Sequence, residues 1–324
     1  MGTILVDREG YLDNSTLEMD CSMADIIRGA ITVGKSCQDA QNISCIEKLF
    51  RISSILMTVQ ECEGASDSFF QASSIFNKLD PSEKGAMTYF LGMAITKLIS
   101  ERYFDVLWLM HVDVYHNSYR IESNAGGKPD FFGRIKTNCG QERWCIFESK
   151  GRTGGLDREA ISRGKEQTQY LRTINGVIPC SRNVVQAYFK GKEQILRGYL
   201  VDPVDDNKGT DIKLGLKDLF ESYYQPFYDL IELIGRENNK EQNGSLSYLD
   251  KLYDIVYIKP LGIYLGLAKN IIELLLKFDE KKLFEALKQH EEKALGIKKY
   301  LIENGKDRLV SIGNDGIFVA MKDE

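Results

Sequence analysis

Three side chains in the middle of the chain, Asp130, Glu148 and Lys150, have the types and spacing to work on a phosphodiester. Glu148-Ser149-Lys150 closes an apolar run, Trp144-Cys145-Ile146-Phe147, that reads as a buried strand. Residues two apart on a strand project from one face, so Glu148 and Lys150 point together. Pro129-Asp130 is the one Pro-Asp of the chain and opens another strand eighteen positions earlier. If those strands pair, Asp130 joins the other two at one end of a hairpin. Other acid-x-Lys triplets, such as those at Asp211, Asp279, Glu280 and Glu291, lie in polar or helical context. Two carboxylates with nearby backbone oxygens make a hard-oxygen set suited to Mg²⁺ or Mn²⁺. Such a cation neutralises developing charge, polarises the phosphate and lowers the pKa of a water. The lysine would orient or help deprotonate that water and stabilise charge on the phosphate.

Further residues follow Lys150. In the loop Gly151–Gly155, the glycines would let a nucleic-acid backbone approach and Arg152 would meet a phosphate. Glu159, Arg163, Gln167 and Tyr170 share one helix face. Arg163 and Gln167 could contact the phosphate or a metal-bound water, and Lys165 is a further candidate for nucleic-acid binding. A solvated face with a Glu159–Arg163 ion pair suits the same pattern. His111 is better read as a structural histidine than as a ligand, and Trp108 and Trp144 as core. The chain carries a net charge of −5, yet Arg120–Arg197 holds 15 Lys and Arg against 8 Asp and Glu. A basic middle between acidic flanks is what a phosphate-binding site needs.

The elements that would position these residues are legible by pattern. Residues 1–79 read as mostly helical after a short start, with Ser22–Asp25 as a cap and helical spacing over Cys45–Leu56 and, less cleanly, Phe69–Phe76. Asp80-Pro81-Ser82-Glu83 starts a helix running to about Ser100. Strands are expected at Val106–Tyr115, Asp130–Thr137 and Arg143–Lys150, with turns at Gly126-Gly127 and Asn138-Cys139-Gly140. A helix over Leu156–Ile174, ended by Asn175-Gly176, precedes strands at Val184–Lys190 and Ile195–Val201. Residues 217–234 and 270–303 read as helices. Strand pairs are expected in Tyr253–Leu267 and Arg308–Met321, and a polar stretch at Glu237–Ser247. The expected fold class is α/β, in three regions: a helical 1–79, a core at 80–205, and an α+β region at 206–324 serving self-association or a protein partner.

Pro-Asp, then Glu-x-Lys, inside helix–three strands–helix–strands, resembles the PD-(D/E)xK nuclease superfamily over about residues 80–201. The resemblance implies a restriction-endonuclease-like core and a Mg²⁺-dependent nuclease, with DNA expected ahead of RNA as its substrate. It implies a metal held at Asp130 and Glu148 and a catalytic lysine at Lys150. Gln167 falls where some branches, RecB-like ones among them, carry a catalytic glutamine. Their tyrosine position is Leu171 here, with Tyr170 one residue early. The first-helix acid of some members has no clear match, since Glu83 and Glu101 lie at opposite ends of that helix. By analogy with the superfamily, prokaryotic restriction or phage defence is the expected setting. The alternative is a non-catalytic nucleic-acid-binding or assembly subunit with the same fold.

No run approaches a membrane span, and the start of the chain lacks the basic region and apolar block of a secretory leader. Met1-Gly2 begins like a myristoylation site, but Val6 stands where Ser or Thr is wanted. Seven cysteines without a CxxC pair and three histidines argue for a cytoplasmic protein without structural zinc or a disulfide framework. Gly29–Ser36 matches GxxxxGK[ST], the phosphate-binding loop of nucleotide-binding proteins. A working loop follows a buried strand, whereas Met23–Arg28 reads as an amphipathic helix. Ile31, Thr32 and Val33 are also stiff for such a loop. The match is therefore expected to be silent: calorimetry with ATP and GTP in Mg²⁺ should show no micromolar binding. Micromolar affinity abolished by Lys35→Ala would overturn this.

Overall fold

The computed structural model describes residues 1–33, 41–64, 68–112, 127–135, 142–202, 209–237 and 249–322. They fall into two compact units. The first takes Met1–Cys21, Gly29–Lys35 and Phe50–Leu214; the second takes Ser22–Arg28, Ser36–Leu49 and Gly215–Glu324. The protein is α/β. No helix among the described residues is long and apolar enough to cross a membrane.

The chain opens with β1 (Gly2–Glu9), β2 (Leu17–Cys21), α1 (Met23–Thr32), α2 (Gln41–Thr58), β3 (Val59–Glu63), β4 (Ser68–Ala72) and α3 (Ser74–Lys78). The expected helical character of 1–79 thus needs correction, because four strands lie there. They are short, and two join partners far away in sequence: β1 runs parallel to β10 (Ile195–Val201) and β4 touches the same strand at Ile195. Within Gly29–Ser36, residues Gly29–Thr32 are helical, and a Cβ on Gly29 would stand 2.8 Å from the Ala94 carbonyl oxygen. Val33 is a buried turn residue, and Gly34–Ser36 lie outside the described residues.

Next come α4 (Pro81–Phe104), β5 (Val106–His111), β6 (Phe131–Ile135), β7 (Trp144–Arg152), α5 (Arg158–Thr168), β8 (Leu171–Ile174), β9 (Ser181–Lys190), β10 and β11 (Thr210–Ile212). Asp80 caps α4 as its sequence implies: its carboxylate accepts from the amides of Ser82 and Glu83, while Glu83 accepts from the Asp80 amide. A mixed sheet of nine strands runs β2-β1-β4-β10-β9-β7-β6-β5, with β3 on β4. β5, β6 and β7 are antiparallel neighbours; β9 lies parallel to β7, with α5 between them in sequence. Trp144–Phe147 are fully buried, which explains the continuous apolar run of β7. The expected strand residues Asp113–Tyr115, the turn at Asn138–Gly140 and most of Glu237–Ser247 lie outside the described residues; of Gly126-Gly127, only Gly127 is described.

The helix expected over Leu156–Ile174 is shorter. It stops at Thr168, and Leu171–Ile174 form β8, parallel to β11 with Leu171 and Ile174 buried. Asn175 and Gly176 do make the turn, both with positive φ.

In the second unit, α6 (Leu216–Glu237) precedes a four-stranded sheet of β12 (Tyr253–Ile258), β13 (Ile263–Ala268), β14 (Val310–Ile312) and β15 (Ile317–Met321). The helix expected over 270–303 is broken into α7 (Lys269–Leu276) and α8 (Glu280–Glu303), because Asp279 caps a new start through the amides of Lys281 and Lys282. Buried Arg28 donates to Ser311 (2.8 Å) and lies 3.9 Å from buried Asp315, whose carboxylate takes the Tyr223 hydroxyl at 2.6 Å.

Glycines set how closely helices approach β7. A Cβ on Gly151 would stand 1.8 Å from the Thr88 carbonyl oxygen of α4, and one on Gly92 would stand 2.9 Å from the Gly151 amide. On the opposite face, a Cβ on Gly164 of α5 would meet Val184 at 2.8 Å and Glu148 Cγ at 3.2 Å. Gly151→Ala should therefore cost at least about 2 kcal/mol in urea unfolding, since backbone must move on both sides. Gly85→Ala, exposed in the same helix with nothing near its Cβ, should stabilise by about 0.5–1 kcal/mol. Equal effects at the two positions would show that close packing at Gly151 is not what holds α4 on β7.

Candidate active site

The β6–β7 register sets Phe131 opposite Phe147, so Asp130 arrives beside Glu148 where the hairpin opens. The two residues are cross-tied. The Asp130 amide donates to Glu148 Oε2 at 2.9 Å, and the Ser149 amide donates to Asp130 Oδ2 at 2.9 Å. The Asp130 carbonyl accepts from the Val112 amide at 2.8 Å, which anchors the segment to the end of β5. Lys150 Nζ donates to Glu148 Oε1 and, at 2.8 Å, to Gln167 Oε1 near the end of α5. Gln167 Nε2 then donates to the Lys128 carbonyl at 3.2 Å. The contacts close a ring from Asp130 through Glu148, Lys150 and Gln167 back to Lys128.

Glu148 is 1% exposed, Asp130 half-buried and Lys150 partly buried. Desolvation, and next the negative charge of Asp130, push the Glu148 carboxyl up to about 7 against the pull of Lys150. Among the described residues no three His, Cys, Asp or Glu side chains gather to hold a metal. The donors here are two carboxylates and main-chain oxygens. That set fits Mg²⁺, which is usually held by one or two carboxylates and keeps several waters.

Of the predicted site residues, Asp130, Glu148, Lys150 and Gln167 stand together. The three basic candidates stand around α5, each beside an acid. Arg152 Nε donates to Asp157 at 2.8 Å, Arg163 lies 3.8 Å from Glu159, and Lys165 lies 3.7 Å from Glu9. Tyr170 follows the end of α5 and is buried, so the expected helix face stops at Gln167. His111 is buried edge-on to Phe131, at 5.1 Å between centroids. Glu83 serves the α4 cap and Glu101 pairs with Lys97 at 2.8 Å.

Pattern reasoning missed Gln186. It is fully buried, accepts from the Asp157 amide at 2.7 Å and donates to the Asp157 carbonyl at 3.1 Å. Asp157 in turn caps α5 through the Ala160 amide, so Gln186 sets where that helix starts. Its signal was a lone amide inside the apolar run Val184-Val185-Gln186-Ala187.

Comparison with models of known protein families, with curated proteins and with solved structures finds no match. Function must therefore be argued from the geometry of the site.

The raised Glu148 carboxyl has a signed consequence for stability. The folded chain holds that proton to higher pH than the unfolded chain, whose glutamate titrates near 4.5. Between those values the folded state binds more protons, so stability falls as pH rises. The penalty is absent below about 4.5 and complete above about 7. Without divalent metal, the wild type should lose about 3 kcal/mol relative to Glu148→Gln between pH 4.5 and 8. Mn²⁺ should shrink that loss, and parallel pH profiles of the two proteins in denaturant melts would refute the assignment.

Proposed function

We propose that this chain is a metal-dependent nuclease with a restriction-endonuclease-like core, hydrolysing phosphodiester bonds in DNA in preference to RNA. The observation that carries the proposal is the ring of Asp130, Glu148, Lys150 and Gln167. Support comes also from the order α4, β5, β6, β7, α5, β8, β9, with β9 parallel to β7. The basic composition of Arg120–Arg197 points the same way.

Asp130 and Glu148 would hold Mg²⁺ or Mn²⁺. When bound, such an ion neutralises charge on the phosphate and makes water a nucleophile near neutral pH. Glu148 must be ionised to serve, and its raised pKa marks a place where a second positive charge is electrostatically welcome. Lys150 has three N–H donors, of which two go to Glu148 and Gln167. The third is available to a phosphate oxygen or the attacking water. Gln167 aims the lysine by holding Nζ from α5. Arg152, Arg163 and Lys165 would trade their carboxylate partners for phosphates along the path. A non-catalytic nucleic-acid-binding subunit would need no buried carboxylate tied to a lysine.

The roles separate on mutation. Asp130→Asn and Glu148→Gln should weaken Mn²⁺ binding in calorimetry and abolish cleavage of a panel of single- and double-stranded DNA and RNA. Lys150→Ala removes a cation that competes with the metal; binding should persist or tighten while cleavage drops by roughly 10²-fold or more. Full activity in any of the three, or loss of metal in Lys150→Ala as complete as in Glu148→Gln, would overturn the assignment.

A further inference from the structure

Two of the chain's seven cysteines meet near the start of β7. Cys145 is fully buried on that strand, and Cys180 is exposed just before β9. The β7–β9 register sets Cys145 opposite Ser181, and the Cys180 amide donates to the Trp144 carbonyl at 2.8 Å. The backbone thus holds both residues in place, within the same compact unit. Their sulfurs lie 3.4 Å apart.

A series of hydrogen bonds runs toward the exposed sulfur. The Tyr11 hydroxyl donates to Asn183 Oδ1 at 2.7 Å, and Asn183 Nδ2 donates to Ser181 Oγ at 2.9 Å. Ser181 Oγ donates to Cys145 Sγ at 3.1 Å, which leaves the Cys145 proton to face Cys180. Negative charge costs least on Cys180, which water reaches, and most on Cys145, which is sealed. The bond from Cys145 holds the Cys180 thiol down to about 6 against desolvation, and the Arg143 guanidinium helps by charge and hydrogen bond. The same bond, together with burial, pushes the Cys145 thiol up. When protonated, Cys180 can donate instead to the Trp144 carbonyl at 3.2 Å.

We propose that Cys145 and Cys180 form a reversible dithiol–disulfide centre that reacts with hydroperoxides. The Cys180 thiolate attacks one peroxide oxygen. An S–O bond forms, the O–O bond breaks, and the departing hydroxide or alkoxide takes up the proton that Cys180 gave to solvent. The Cys145 sulfur then attacks the Cys180 sulfenic acid. The S–S bond forms, the S–O bond breaks, and the hydroxyl leaves as water with the Cys145 proton. Two electrons pass from the sulfurs to the peroxide, and a dithiol reductant reverses the bond. The disulfide ties β7 to the segment entering β9, and it closes the stretch 145–180 that carries Glu148, Lys150 and Gln167. The centre does not depend on the nuclease reading.

The fully reduced full chain, given a few equivalents of hydrogen peroxide and digested without reductant, tests this by mass spectrometry. Cys145–Cys180 should be the main cross-link, and dithiothreitol should restore both thiols. Cys180 should react at least about tenfold faster than Cys62, which is part-exposed. Cys180→Ser should abolish the cross-link. Cys145→Ala should leave a sulfenic acid at Cys180 that dimedone traps. Ser181→Ala keeps both sulfurs and removes the donor to Cys145; it should slow cross-linking about threefold or more, which serves if Cys145→Ala fails to fold. A Cys180 no faster than Cys62, or one that oxidises in the wild type without pairing with Cys145, would overturn the proposal.

Discussion

The structure around β7 is governed by the cost of burying the Glu148 carboxylate. Removing a charge from water is expensive unless partners replace the lost solvation. Here an amide of Asp130 and the ammonium of Lys150 do so, while the Asp130 carboxylate works against them. The result is a carboxyl poised near neutrality rather than a settled ion pair. Each partner must be held in place by something else, and the surrounding elements supply that. The Asp130 carbonyl is pinned by Val112, and Lys150 is pinned by Gln167.

The helices follow from the same requirement. Glu148 is sealed from water because α5 comes close at Gly164, and β7 is pressed from behind by α4 at Gly92 and Gly151. Side chains at these three positions would lever the helices away and hydrate the carboxylate. Gln186 fixes the first turn of α5 through Asp157, whose own side chain also takes Arg152. The strand, two helices and one buried amide therefore act as a rigid support, as an electrostatically preorganised site requires. At the far side of β10 the N-terminal strands continue the sheet, so β9 and β10 sit inside it, away from an exposed edge.

Much of this was legible by pattern where local chemistry is strong. The Asp80–Glu83 capping box, the buried run of β7 and the Asn175-Gly176 turn are written in adjacent residues. Failures came where the deciding partner is distant. Leu171–Ile174 extends a helical pattern, yet its buried residues are satisfied by pairing with β11 some forty positions later. The strands of residues 1–79 are short, and β1 and β4 depend on β10. Asp279 interrupts a long helical stretch by a cap that outweighs continuation.

By itself the sequence determined which side chains could do chemistry and that Glu148 and Lys150 share a face, because strand alternation is a property of the backbone. It also determined that Asp130 precedes a strand, through the Pro-Asp pair and the apolar residues that follow. Only the tertiary structure decided that Asp130 and Glu148 exchange hydrogen bonds, that Gln167 reaches Lys150, and that the carboxyl is desolvated. It likewise decided that Gln186, a lone amide in an apolar strand, is the anchor of α5. Pairing register, burial and helix approach are sums over residues far apart in the chain, and no local spacing encodes them.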